Sequence, residues 1–130
     1  MLIQIGATEK LIDCFEAHTP EEHAQGLLGA SHLEPGTGLL FFHEEEAPRS
    51  HWMPPQMRFP IDMVFIGANG KIIEIFENCQ PGELDPSGRP MRFAAPAKWV
   101  LELPAGDCSR LGMLIGTQIN FDDEEEGSLV

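Results

Sequence analysis

Between Ile61 and Phe76 the chain reads Ile-Asp-Met-Val-Phe-Ile-Gly-Ala-Asn-Gly-Lys-Ile-Ile-Glu-Ile-Phe, two β-branched and aromatic runs joined through Ala68-Asn69-Gly70. Asn-Gly tolerates the positive φ angles of turns whose twist matches that of paired strands, so this segment is constrained to an antiparallel hairpin. That pairing sets the class of the fold. Around it, Leu2–Ile5 and Leu11–Phe15 read as short strands and Gly38–Phe42 as a buried one. His51-Trp52-Met53 reads as a short strand closed by Pro54-Pro55, and Lys98–Leu103 and Thr117–Phe121 as two later strands. His43–Arg49 reads as a polar excursion, and Gln80–Pro96, rich in proline and glycine, as a long surface loop.

Helix is signalled at two places. Thr19-Pro20-Glu21-Glu22 places a capping hydroxyl, a proline at the first helical position and a glutamate three residues after the cap, which predicts a helix running to about Leu28, with Gly29 as its stop. Pro104–Leu111 predicts a short helical turn. Many short strands, one capped helix and no regular helix-strand alternation predict a mainly β chain, a compact antiparallel barrel or sandwich.

Charge narrows the partners. Eight Lys and Arg stand against 21 Asp and Glu, a net charge of -13, whereas a phosphate-backbone footprint needs clustered basic charge. Nucleic acid is therefore excluded as an expected partner, and no run approaches the length of a membrane span. Asp122, Asp123, Glu124, Glu125 and Glu126 concentrate part of the acidity at the end, so a single β-rich domain over residues 1–121 is expected to precede an acidic, disordered tail over 122–130. Cys14, Cys79 and Cys108 form no Cys-x-x-Cys pair and are expected as buried free thiols. As written the chain is expected in the cytoplasm, or exported if an N-terminal signal was trimmed.

Gly26-Leu27-Leu28, Gly38-Leu39-Leu40-Phe41-Phe42, Trp52-Met53, Pro60–Ile66, Pro96–Leu103 and Ala105-Gly106 stand in the order and approximate spacing of the domain of unknown function 192 family, which the chain resembles over roughly residues 11 to 121. The resemblance implies a compact, mostly β domain, often exported in bacterial members, with no established activity. Two departures stand out. Met53 is followed by Pro54-Pro55-Gln56 where the family commonly has Lys-Asn-Thr, and Leu27-Leu28-Gly29-Ala30 lacks the basic residue usual in that stretch. If family members build a basic or anion-binding site there, this chain lacks it.

No catalytic motif is present. His43-Glu44-Glu45-Glu46 would need a histidine at position 47 to be a metalloprotease helix, and that residue is Ala47. His18, His23, His32 and His51 share no ligand spacing, so no metal and no cofactor are expected. Ser31, Ser50 and Ser87 lack a recognisable base nearby in sequence, and tyrosine is absent. The chemically informative residues are Asp62 and Glu102, carboxylates inside apolar strands, because burying an ionised group is costly unless it is paired or hydrogen-bonded. A two-residue Asn69-Gly70 turn would pair Ala68 with Lys71 and set Asp62 opposite Glu77, whereas a longer loop breaks that register. The structural alternative is that Asp62 bonds backbone at a strand end and Glu102 meets Lys98, Arg58 or solvent, with Trp52, Met53 and Trp99 in the core.

The leading expectation is a non-enzymatic module that binds a small ligand or a protein. Its apolar pocket would lie near Trp52, Met53, Asp62 and Glu102, partly covered by the Gln80–Pro96 loop. One alternative is an enzyme using Asp62 or Glu102 as general acid or base. The other is an interaction domain whose acidic surface selects a basic partner.

Overall fold

A computed structural model describes residues 1–121, so the expected acidic tail lies outside the described residues. The elements in chain order are β1 (Leu2–Ile5), β2 (Leu11–Ala17), α1 (Pro20–Gln25), β3 (Thr37–His51), β4 (Ile61–Ile66), β5 (Ile72–Cys79), β6 (Phe93–Pro104), α2 (Asp107–Arg110) and β7 (Ile119–Phe121). The strands form one sheet in the order β5-β4-β6-β3-β2-β1-β7. The mostly β expectation holds, with one addition: β2 and β3 pair in parallel, Asp13 opposite Thr37, because the connection through α1 carries the chain back to the start of the sheet before β3 begins.

The sheet curls until its two edges meet. Lys71 bridges to Gln118, the Ile72 N–H donates to the Thr117 carbonyl at 2.9 Å and the Ile119 N–H to the Gly70 carbonyl at 2.8 Å. Gly70 sits at φ 82°, and a β-carbon there would strike the Gln118 amide, so this seam requires glycine on both counts. All six residues of β4 are buried, as suits a central strand covered on both faces. Val64 and Ile66 pack with Ile3, Ile12, Leu40 and Leu101 on one face, while Ile61, Met63 and Phe65 pack with Phe41, Met53 and Val100 on the other.

The Asn-Gly hairpin is present, and Met63, Val64 and Phe65 pair with Phe76, Ile75 and Glu74 in the register counted from a two-residue turn, but the loop itself is longer. Ile66 pairs with Ile72, the Gly67 N–H donates to the Lys71 carbonyl, and Asn69 Oδ1 accepts the Lys71 N–H at 3.0 Å, so the loop spans 67 to 71. A further shift between the Ile61–Cys79 and Met63–Phe76 pairs means that Asp62 does not stand directly opposite Glu77.

Four other expectations are corrected. The polar run His43–Arg49 is not an excursion but the middle of β3. Phe42 pairs with Trp99 and Ala47 with Ala97, and the residues between bulge against Lys98 alone. The strand expected at His51–Met53 is only the end of β3. The proline-rich segment stops being a loop at Phe93, where β6 starts. There Pro96 stands opposite Pro48 in a part of β3 and β6 that no third strand joins, so the missing amide hydrogens cost no ladder bond. At α1 the capping box forms as expected, with Thr19 Oγ1 accepting the Glu22 N–H at 3.1 Å and Glu22 Oε1 accepting the Thr19 N–H. The helix ends at Gln25, earlier than Leu28, because Gly26 takes φ 48°.

Candidate functional site

Leu39 in β3 pairs with Glu102 in β6, and His51 lies twelve residue steps further along β3. A straight strand of that length would carry His51 about 40 Å away at some 3.3 Å per residue. Instead His51 Nδ1 lies 3.0 Å from Glu102 Oε2. The β3–β6 ribbon therefore bends back on itself, with the irregular pairing at 43–46 as its turning point. The two side chains are 16% and 8% exposed, so the pair is largely desolvated.

Asp62 and Glu102 are not brought together. Glu102 pairs with Met63 and shares its face of the sheet, while Asp62 pairs with Leu103 and lies on the other. Asp62 is completely buried and accepts three backbone donors: Asn78 N–H at 2.8 Å on Oδ1, Gly106 N–H at 3.1 Å and Cys108 N–H at 3.0 Å on Oδ2. Asn78 sits at φ 55°, in the shifted end of β5. The carboxylate thus ties that irregular strand end to the start of α2, the backbone-bonding role weighed for it from sequence. Glu102 meets His51 rather than Lys98, Arg58 or solvent.

Around the His51–Glu102 pair opens a cleft of about 380 Å³. One wall comes from the end of α1 and the turn after it, including His23, Leu27 and Leu28; the other comes from Trp52, Met53 and Met57. Three of the four residues singled out from sequence, Trp52, Met53 and Glu102, line this cleft, and Asp62 does not. Trp99 stacks on Phe121, with ring centroids 4.3 Å apart, away from the cleft. No residue of the proline-rich loop is among those lining the cleft. The loop braces one wall instead: the Gly82 N–H donates to the Met53 carbonyl at 2.7 Å, and the Arg92 guanidinium lies 5.8 Å from the Trp52 ring centre.

Three of the chain's five histidines gather here, His23, His43 and His51. In the neutral ring, a carboxylate partner at Nδ1 selects the His51 tautomer with hydrogen on that nitrogen and a lone pair on Nε2. No group among the described residues bonds that Nε2. The His51 ring is held edge-on against Phe41 and Phe65, at 4.8 and 5.9 Å. His23 Nε2 lies 3.0 Å from the Ala17 carbonyl, and its ring is 4.8 Å from that of His43. Among the described residues no three His, Cys, Asp or Glu side chains are arranged to hold a metal ion. The cysteines stay protonated near neutrality, since burial pushes the Cys14 and Cys79 thiols up to about 12 and raises Cys108 as well. No single stretch of sequence signals this cluster, because His23 comes from α1, His43 and His51 from the two ends of the β3 bend, and Glu102 from β6, which only the curl unites.

His43 is the one buried side-chain nitrogen site among the described residues without a partner, at Nε2. Burial first, then the charges of Arg49, His23 and His51, push its pKa from 6.5 down to about 4. Between those values the unfolded chain binds the extra proton and the folded chain does not. Stability from this group is therefore fully present above about pH 6.5 and is lost as pH falls toward 4. Thermal melts of His43→Gln over that window are expected to lose less in Tm than wild type, by roughly 3 °C. Parallel curves for the two proteins would show that His43 does not titrate this way.

The family model DUF192, described as Uncharacterized ACR, matches residues 2–121. No curated protein matches the chain. Among solved structures, a Sinorhizobium meliloti protein named as a candidate transcription regulator is 28% identical, with a TM-score of 0.80 over 92% of this chain and 91% of that one. A Novosphingobium aromaticivorans protein of unknown function is 23% identical, also with a TM-score of 0.80, over 92% of this chain and 84% of that one, and shows the shared fold. No helix among the described residues is long and apolar enough to cross a membrane.

Proposed function

The chain belongs to the uncharacterised DUF192 family, and on that premise we propose that it is a small-molecule-binding module whose ligand seats in the cleft between the α1 turn and the Trp52–Met57 segment. The observation that carries this reading is the His51–Glu102 pair at the cleft. A desolvated carboxylate held by a single imidazole is a poor device for stability compared with apolar residues of the same size, so its place beside an open, largely apolar cavity argues for recognition. The volume falls within the range of small-molecule sites, and Leu27, Leu28, Phe41, Met53 and Met57 supply the apolar lining such sites use.

A second reading, an enzyme using Glu102 with His51 as acid and base, is favoured by the same pairing, since a carboxylate bonded to Nδ1 orients the imidazole and leaves Nε2 without a protein partner. A net charge of -13 opposes contact with a phosphate backbone, so the regulator name of the Sinorhizobium protein lends no support to DNA binding by this chain.

The reading is tested by a fragment screen against the labelled full chain, read by amide chemical shifts. Hits are expected to move Leu27, Leu28, His51, Trp52 and Met53 together. They should disappear in Leu28→Trp, which places an indole in the cleft. Hits that map elsewhere, or that persist in the filled variant, would overturn it.

A further inference from the structure

Resting on that reading, we infer that the cleft selects an uncharged ligand carrying a hydroxyl on a compact apolar body, with the hydroxyl donating to His51 Nε2. The donor requirement follows from the tautomer. Glu102 Oε2 takes the Nδ1 hydrogen at 3.0 Å, so the free nitrogen is an acceptor, and a ligand atom reaching it must bring its own hydrogen. A bare hydrocarbon would leave that acceptor dry and unpaired once the cleft filled.

The charged groups around the cleft oppose both signs of ion. A carboxylate ligand would lie against Glu102, which is buried and whose bound imidazole already gives it its one partner. A cationic ligand would lose solvent beside His23 and His43, which also line the adjoining recess where Arg49 places its charge. The His43 ring itself is held neutral by burial and by those neighbours, which reports how the same surroundings treat a positive charge. Arg49 offers no ready anion site in exchange, because its guanidinium donates to the Ala97 carbonyl at 3.1 Å and to the Glu45 carbonyl at 2.7 Å. What is left unopposed is a neutral donor, with the apolar faces of Leu27, Leu28 and Met57 for its body.

Four probes of one shape separate these possibilities: benzyl alcohol, toluene, benzoate and benzylammonium, each titrated into the labelled chain at pH 7.5 and followed at the cleft amides. Benzyl alcohol is expected to bind at least about tenfold tighter than each of the other three, the scale of one hydrogen bond made against one left unmade. In the double variant His51→Leu with Glu102→Leu, the ratio of alcohol to toluene affinity is expected to fall to about one. Equal binding of toluene and benzyl alcohol in the wild type would refute the hydroxyl contact and leave the cleft as a purely apolar site. Tighter binding of benzoate or benzylammonium would refute selection for a neutral ligand while upholding the cleft. If none of the four moves the cleft amides, the binding-module reading fails along with the inference.

Discussion

Asp62→Asn is expected to lower the melting temperature by on the order of 10 °C without altering any ligand response of the cleft. The side chain is fully buried and satisfies three backbone N–H groups, at Asn78, Gly106 and Cys108. Hydrogen bonds to a charged acceptor contribute about 1.5 to 3 kcal/mol each, and a buried donor left without its acceptor costs a comparable amount. Asparagine keeps one carbonyl oxygen and turns an NH2 group toward at least one of those donors, so a loss of about 3 kcal/mol follows. Circular dichroism melts of the two proteins decide the matter. A shift below 2 °C would mean that the amides find other partners and that Asp62 is not what holds α2 to the end of β5.

The second large effect concerns the pair in the cleft. His51→Leu leaves the Glu102 carboxylate buried and unpaired, which is expected to cost about 3 to 5 kcal/mol at neutral pH. Replacing both residues by leucine removes the unpaired charge along with its partner, and the double variant is expected to lie within about 1 kcal/mol of wild type. Urea unfolding of wild type, both single variants and the double variant gives the coupling directly, provided the slope with denaturant stays constant across the set. Additive losses, with the double variant the least stable of the four, would show that the pair supports the fold rather than a ligand.

Much of the local structure was legible because it rests on neighbours in sequence. Thr19-Pro20-Glu21-Glu22 specifies a capping box within four residues, and Asn69-Gly70 specifies a reversal of the chain. Legibility ended where distant residues decide. The loop from Gly67 to Lys71 and the shift opposite Asp62 set which residues face each other, and neither has a residue-level signature. His43–Arg49 looked like a loop because its charged side chains are those of an exposed segment. It is a strand because β6 supplies a partner, and no third strand pairs with the ribbon there, so its solvent-facing positions need no apolar residues. Asp62 and Glu102 were legible as costly carboxylates. That they lie on opposite faces depended on the pairing of Asp62 with Leu103 and of Met63 with Glu102, which no local pattern provides.

The bend that returns His51 to Glu102 also fixes when the site can exist. The two residues are 51 positions apart, so their contact closes a long loop, whereas the β4–β5 hairpin closes only a short one. Chain entropy must be spent on the long loop before the pairing gives anything back, which places the hairpin early and the cleft late in the order of assembly. Species that have paired β4 with β5 while the ribbon is still straight would hold native strands and no cleft. On the binding-module reading, a molecule with an occupied cleft would therefore have completed the curl, and occupancy would report the finished fold rather than any part of it.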